Sequence, residues 1–162
     1  MLKLRKLQPT DLFAMLRIEN EPTLWEESTE HGPYSTEDMI AFLSQTTGQL
    51  DTDGQVRLLI FNNDAEEELL GAVDFVNYNP SRSQAEVSIG LLPPYRNKGI
   101  GQQALTQALA LASEEFHLAR LSAHIRPTNT HSQKLFEKLG FIRKATTADS
   151  DCWYYLKEMT KK

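Results

Sequence analysis

Between positions 96 and 101 the chain reads Arg96-Asn97-Lys98-Gly99-Ile100-Gly101, two cations interleaved with two glycines. A strand-like run at 85–92 precedes it, and an amphipathic run follows in which Ile100, Ala104, Leu105, Ala108, Leu109, Leu111 and Ala112 recur at helical spacing. The segment therefore reads as strand, tight turn, helix. A helix start leaves its first backbone N–H groups unpaired and carries partial positive charge, and a glycine there has no Cβ to hold an anion off. Such a turn suits phosphate, with Arg96 and Lys98 adding a planar fork and a point charge at its rim.

Several kinds of site use such a turn. A Walker loop ends in Gly-Lys-Ser or Gly-Lys-Thr, whereas Lys98-Gly99 runs in the opposite order. Gly99-Ile100-Gly101-Gln102-Gln103-Ala104 fits the loose dinucleotide pattern, but the expected strand at 120–125 holds no acidic residue to meet a ribose. Only about 35 residues follow that strand, too few for the further βαβ units such a fold requires at roughly 30 residues each. A plain glycine turn is the remaining alternative, disfavoured by the flanking cations.

Arg-x-x-Gly-x-Gly between a strand and a helix resembles the pyrophosphate loop of the GCN5-related N-acetyltransferases, which bind acetyl-CoA. A second stretch, Asn129-Thr130-His131-Ser132-Gln133-Lys134-Leu135-Phe136-Glu137-Lys138-Leu139-Gly140-Phe141, is similar to the family's later helix, Asn-x-x-Ser/Ala-x-x-Leu-Tyr-x-x-x-Gly-Phe. The N-terminal Leu4-Arg5-Lys6-Leu7 and Thr10-Asp11-Leu12 resemble its first strand and helix start. Leu70-Gly71-Ala72-Val73-Asp74-Phe75 with Ala85-Glu86-Val87 is most similar to the branch of polyamine and ribosomal-protein N-terminal acetyltransferases.

The resemblance implies acetyl-CoA as co-substrate and no metal. It places backbone groups of Leu91 and Leu92 on the pantetheine and carbonyl, where the central strand bulges and leaves its neighbour. Arg96, Asn97, Lys98, Gly99, Ile100 and Gly101 would hold the pyrophosphate, with Asn129 and Ser132 also at the cofactor. Asn129 can equally be a helix N-cap. Glu86, where several relatives carry an amine-binding or catalytic Glu, is expected to serve as base and as substrate ligand; a solvated strand-end carboxylate is the alternative. The family's usual tyrosine is replaced by Phe136, which has no proton to give. Tyr154 is taken as the acid in its stead, with Tyr155, Ser132, Cys152 or water as alternatives.

From Glu19 to Asp38 the chain carries seven carboxylates and no Lys or Arg, with Trp25 and Tyr34 among them. In the family this segment borders the acceptor, so Glu26, Glu27 and Glu30 are expected to bind a small cationic amine, with a polyamine such as spermidine as the candidate. A solvated acidic loop is the bland alternative. A protein N-terminus is the competing acceptor, and a CoA-binding regulatory module with weak activity the competing class. His31, His117, His124 and His131 show no metal-ligand spacing, and His124 is expected to be a neutral, hydrogen-bonded strand residue.

The elements that must position these groups are legible at coarse grain. The chain has 162 residues, 40% of them apolar, which suits a single domain over 1–162. A net charge of −5 argues against nucleic acid. One cysteine, no leader-like start and no long apolar run point to a cytoplasmic protein without a membrane partner; self-association is left open. Periodicity predicts strands at 2–7, 56–61, 69–76, 85–92, 120–125, 141–144 and 152–159. Helices are expected after Asp11, after Ser35, from Ile100 and from Asn129 to Gly140. The stretches 20–34 and 46–54 are expected to be irregular, and Asn62-Asn63-Asp64 to form a hairpin turn. The order β-α-α-β-β-β-α-β-α-β-β implies a mixed α/β (α+β) fold, with helices on both faces of a mostly antiparallel sheet of about seven strands.

Overall fold

The computed structural model describes residues 2–25, 34–62, 67–144 and 152–159. Its elements are β1 (Leu2–Lys6), α1 (Leu12–Glu19), α2 (Pro22–Trp25), α3 (Thr36–Gln45), α4 (Leu50–Asp53), β2 (Val56–Asn62), β3 (Glu68–Asn79), β4 (Gln84–Leu91), α5 (Ile100–Glu114), β5 (Arg120–Ile125), α6 (Thr130–Lys138), β6 (Ile142–Lys144) and β7 (Trp153–Glu158). A 3-10 turn, Pro93–Tyr95, joins β4 to the glycine turn. The strands form one sheet in the order β1-β2-β3-β4-β5-β7-β6, antiparallel throughout except for β4 beside β5. The expected fold and element order are present.

Two short helices stand where irregular chain was expected. Neither α2 nor α4 exceeds four residues, too few to show a 3.6-residue period. The Asp53 carboxylate shapes α4: it accepts from Thr46 Oγ1 at 3.0 Å, Thr47 N at 2.8 Å, Thr47 Oγ1 at 2.8 Å and Gly48 N at 3.2 Å. Gly54, at φ +74°, then ends the turn in the left-handed region that glycine adopts without steric cost. The expected turn at Asn63 and Asp64 lies outside the described residues.

Strand alternation divides the side chains between two layers. On one face Leu58, Ile60, Val73, Phe75, Ala85, Val87, Leu121, Ala123 and Tyr155 pack with Ala104, Leu105, Ala108 and Ala112 of α5 and Phe136 of α6. On the other face Leu59, Phe61 and Ala72 meet Ile18 of α1, with Leu24 of α2 packed against them. Helix α3 packs behind, through Met39 and Leu43 on Met15. Because both faces of β2 are covered, Leu58-Leu59-Ile60-Phe61 runs unbroken and buried instead of alternating. Gly71 permits the close pairing of β3 with β4, since a Cβ there would lie 2.1 Å from Gly90 O. No helix among the described residues is long and apolar enough to cross a membrane.

Candidate active site in the opening between two strands

β4 and β5 pair only from Gln84↔Arg120 to Glu86↔Ser122. Beyond that point β4 stays with β3 as far as Gly71↔Leu91, and β5 stays with β7 as far as Ile125↔Trp153. The two central strands therefore part like the arms of a V, with Glu86 at its vertex. The parting was expected, but the bulge was not found. The register against β3 is unbroken from Glu86 to Leu91, and the shift on that strand pair falls between Val76 and Asn79.

The parting leaves the far edge of β4 without a strand partner beyond Glu86. Leu92 N–H donates to Leu70 O at 2.9 Å, so it faces β3 and is spent there. Alternation turns the N–H and C=O groups of Leu91 and Ile89 to the opposite edge, where β5 has gone. Of the two predicted residues Leu91 thus presents its N–H to the opening, while Leu92 is 1% exposed and belongs to the core. Ile89, which sequence reasoning missed, presents its backbone as Leu91 does; strand parity would have found it once the direction of one hydrogen bond was known.

At the end of β4 the glycine turn forms as expected. Gly99 caps α5 at φ +78° and Asn97 sits at φ +62°, so the chain doubles back through two left-handed residues. No side chain caps the helix and its first turn holds no acid. The first turn-closing bond is Gln103 N–H to Gly99 O at 3.3 Å, which leaves the N–H groups of Ile100, Gly101 and Gln102 without helical acceptors. A Cβ on Gly101 would stand 3.4 Å from Leu135 Cδ2 and 3.9 Å from Ile89 Cδ1 and Leu91 Cδ1, which places this helix start against α6 and the arm of β4. Lys98 is exposed and makes no ion pair with a described residue.

Arg96 is differently disposed from its sister cation. Its Nε donates to Leu91 O at 2.9 Å and its Nη2 to Thr23 Oγ1 at 2.7 Å. The guanidinium thus ties α2 to the end of β4 and takes up the Leu91 carbonyl. On the other arm, Asn129 caps α6, with Oδ1 accepting from Ser132 N at 3.2 Å. The capping role is observed, and Ser132 lies half-buried in the first turn.

The vertex is polar. Val76↔Glu86, Asp74↔Ser88, Glu86↔Ser122 and His124↔Tyr154 are register partners, so Asp74, Glu86, Ser88, Ser122, His124 and Tyr154 share one face. Glu86 Oε1 lies 2.8 Å from His124 Nδ1 and 3.4 Å from Asn77 Nδ2. The Tyr154 hydroxyl accepts from Gln84 Nε2 at 3.1 Å, and its ring lies 5.2 Å from that of His124. The two residues predicted for chemistry are therefore brought together, with His124 between them. Tyr155 points the other way: it is buried and donates to Glu137 Oε2 at 3.0 Å, and burial followed by that bond pushes its phenol up. Phe136 is 3% exposed, edge-on to Phe141 in the opposite layer. Glu26, Glu27, Glu30 and His31 lie outside the described residues.

Two carboxylates share the vertex face, and their partners separate them. Asp74 is held by both prongs of Arg57, Nε to Oδ1 at 2.7 Å and Nη2 to Oδ2 at 2.9 Å, and Arg57 Nη1 also meets Glu19. Burial would weaken the guanidinium's charge, but Asp74 and Glu19 more than offset it and raise its pKa. Asp74 is thereby engaged by a guanidinium. Glu86, 23% exposed, has an imidazole and an amide beside it among the described residues. The opening can therefore take an anion at the foot of α5, an extended amide chain along Ile89 and Leu91, and a cation at Glu86.

A family profile described as an acetyltransferase (GNAT) domain matches residues 1–142. The chain is 24% identical over 141 residues to a spermidine N(1)-acetyltransferase of Vibrio cholerae, covering 87% of this chain and 79% of that protein. It is 22% identical over 151 residues to the uncharacterized N-acetyltransferase p20 of Bacillus licheniformis, covering 91% and 83%. The crystal structure of the Vibrio cholerae spermidine N-acetyltransferase with CoA and spermine shares its fold, at a TM-score of 0.85 and 19% identity over 98% of this chain and 95% of that one. With a profile spanning most of its length, the chain belongs to the GNAT family of acetyltransferases.

Proposed function

We infer that this protein is a single-domain enzyme that transfers the acetyl group of acetyl-CoA to a primary amine, with a polyamine such as spermidine as acceptor. The observation that carries the assignment is the opening between β4 and β5, which runs from a Glu86 with no Lys or Arg beside it among the described residues to a helix start with no side-chain cap. The residues fit the co-substrate. Gly99 and Gly101 leave the amides of α5 open to a pyrophosphate, Lys98 stands at the rim, and the Leu91 and Ile89 edge matches the alternating amides of a pantetheine arm. Acetyl-CoA supplies an activated acyl thioester; the chain's own groups bind, orient and move protons. Arg96 serves by holding the Leu91 carbonyl and α2 in place. Glu86 receives the ammonium at the end of the opening where its proton is drawn off, and Tyr154 is the candidate donor to the departing sulfur.

Support for a polyamine comes from the acidic 19–38 segment and from relatives described as spermidine acetyltransferases, one of them solved with spermine. A solved neighbour is described as dodecameric, which favours self-association here too. The test is thiol release from acetyl-CoA with spermidine, spermine, a monoamine and an N-terminal peptide. Polyamines should be preferred, and Glu86→Gln should lower kcat/KM by about 10²-fold with little change in KM for acetyl-CoA. Preference for the peptide would move the assignment to N-terminal acetylation. Binding of acetyl-CoA without turnover on any amine would make the protein a CoA-binding module.

A further inference from the structure

His124 is pinned by one of its two nitrogens. It stands on β5 two residues past the last pairing with β4, with Nδ1 2.8 Å from Glu86 Oε1 and the side chain 42% exposed. The Tyr154 ring supports it at a centroid distance of 5.2 Å and a tilt of 45°. Asn77 Nδ2 lies 3.4 Å from the same Glu86 oxygen. An ionised carboxylate only accepts, so a neutral imidazole meeting it must carry its proton on Nδ1. The lone pair is then on Nε2, which has no partner among the described residues. A ring oriented by a carboxylate through one nitrogen and bare at the other is the arrangement by which histidine takes a proton from a nucleophile.

We propose that His124 Nε2 is the atom that accepts the proton of the acceptor ammonium, while Glu86 sets the ring's tautomer and stabilises the imidazolium. The inference rests on the amine-acetylation function proposed above and deepens it. The ammonium gives one proton to Nε2 and becomes the nucleophile. Its nitrogen forms the new C–N bond to the acetyl carbon as the C–S bond of acetyl-CoA breaks. The nitrogen's second proton goes to the thiolate, through Tyr154 or water, and the imidazolium returns the first to solvent. Imidazole is intrinsically a stronger base than a carboxylate, so this route asks less of the transfer than Glu86 alone would.

The discriminating variant is His124→Asn, whose amide N–H can stand where Nδ1–H stood but which offers no basic nitrogen beyond it. If Nε2 takes the proton, kcat falls about 10²-fold with KM for acetyl-CoA unchanged, and added imidazole restores part of the turnover of His124→Gly. A second readout needs no co-substrate. Nitrogen-15 NMR of the free protein should show His124 protonated at Nδ1 and bare at Nε2, and Glu86→Gln should erase that preference. Near-wild-type kcat in His124→Asn, or an Nε2-protonated ring in the wild type, would overturn the proposal and return the proton to the Glu86 carboxylate. Absence of amine-dependent thiol release from the wild type would instead bring down the amine function, and this inference with it.

Discussion

Helices α3 and α5 begin in opposite ways. At α3 the Ser35 hydroxyl accepts from Asp38 N at 3.0 Å, and Glu37 and Asp38 place two carboxylates in the first turn. That helix start is met by its own chain, one donor capped by a side chain and its dipole met by acid. At α5 the cap is Gly99, the first turn holds no acid, and the neighbouring residues are cationic. Its donors are left for something outside the chain. The difference teaches where binding energy can be found in this molecule. A self-satisfied terminus contributes to folding, whereas an unsatisfied one at the mouth of an opening reserves its free energy for a ligand.

The comparison breaks most sharply at Gly101. Gly101→Val should crowd the open donors and abolish the thermal stabilisation by acetyl-CoA, worth about 2.7 kcal/mol at a hundredfold excess over Kd, or roughly 5–10 °C. Gly101→Ala places only a Cβ, at ordinary contact with Leu135, Ile89 and Leu91, and serves as the graded control that keeps the fold. Equal shifts for wild type and both variants would remove the pyrophosphate assignment.

Making α5 resemble α3 is a gentler perturbation. Gln102 is exposed in the first turn of α5, so Gln102→Glu supplies the missing acid. Acetyl-CoA affinity should fall about tenfold through like-charge repulsion, while the ligand-free protein gains about 0.5 kcal/mol from the dipole. Calorimetric titration and thermal melts measure the two effects, and their opposite signs are the point. A gain or a loss in both would mean that this terminus serves only the fold. Unmaking the α3 cap should show the converse: Ser35→Ala is expected to cost about 1 kcal/mol of stability, read by denaturant unfolding, with no change in acetyl-CoA affinity.

Legibility followed the same division. The open turn, the strand before it and the helix after it lie within one contiguous segment, and glycine, cation and periodicity signals name it residue by residue. Asn129 was readable as a cap for the same reason. The two one-turn helices escaped because the four residues of α2 and of α4 span little more than one helical period, too few for an apolar position to recur. Arg96 shows a different limit. Its charge suggested an anion, but the Thr23 hydroxyl that receives its Nη2 lies 73 residues away, and nothing local to the turn announces it.

What the sequence determined by itself was therefore a set of local conformations and their chemistry: the strands and the helices longer than one turn, the donor-rich start of α5, and an acid on β4. Only the tertiary structure decided which charges are available. Asp74 and Glu86 are both acidic strand residues on one face, yet register brings Arg57 across to Asp74 from 17 residues away and sets His124 beside Glu86. Likewise, a break in strand pairing after Glu86 and Ser122 is what opens the β4 edge. The physical reason is that helix caps and turns are satisfied within a few residues, whereas ion pairing and sheet edges depend on partners that only the folded register brings within hydrogen-bonding distance.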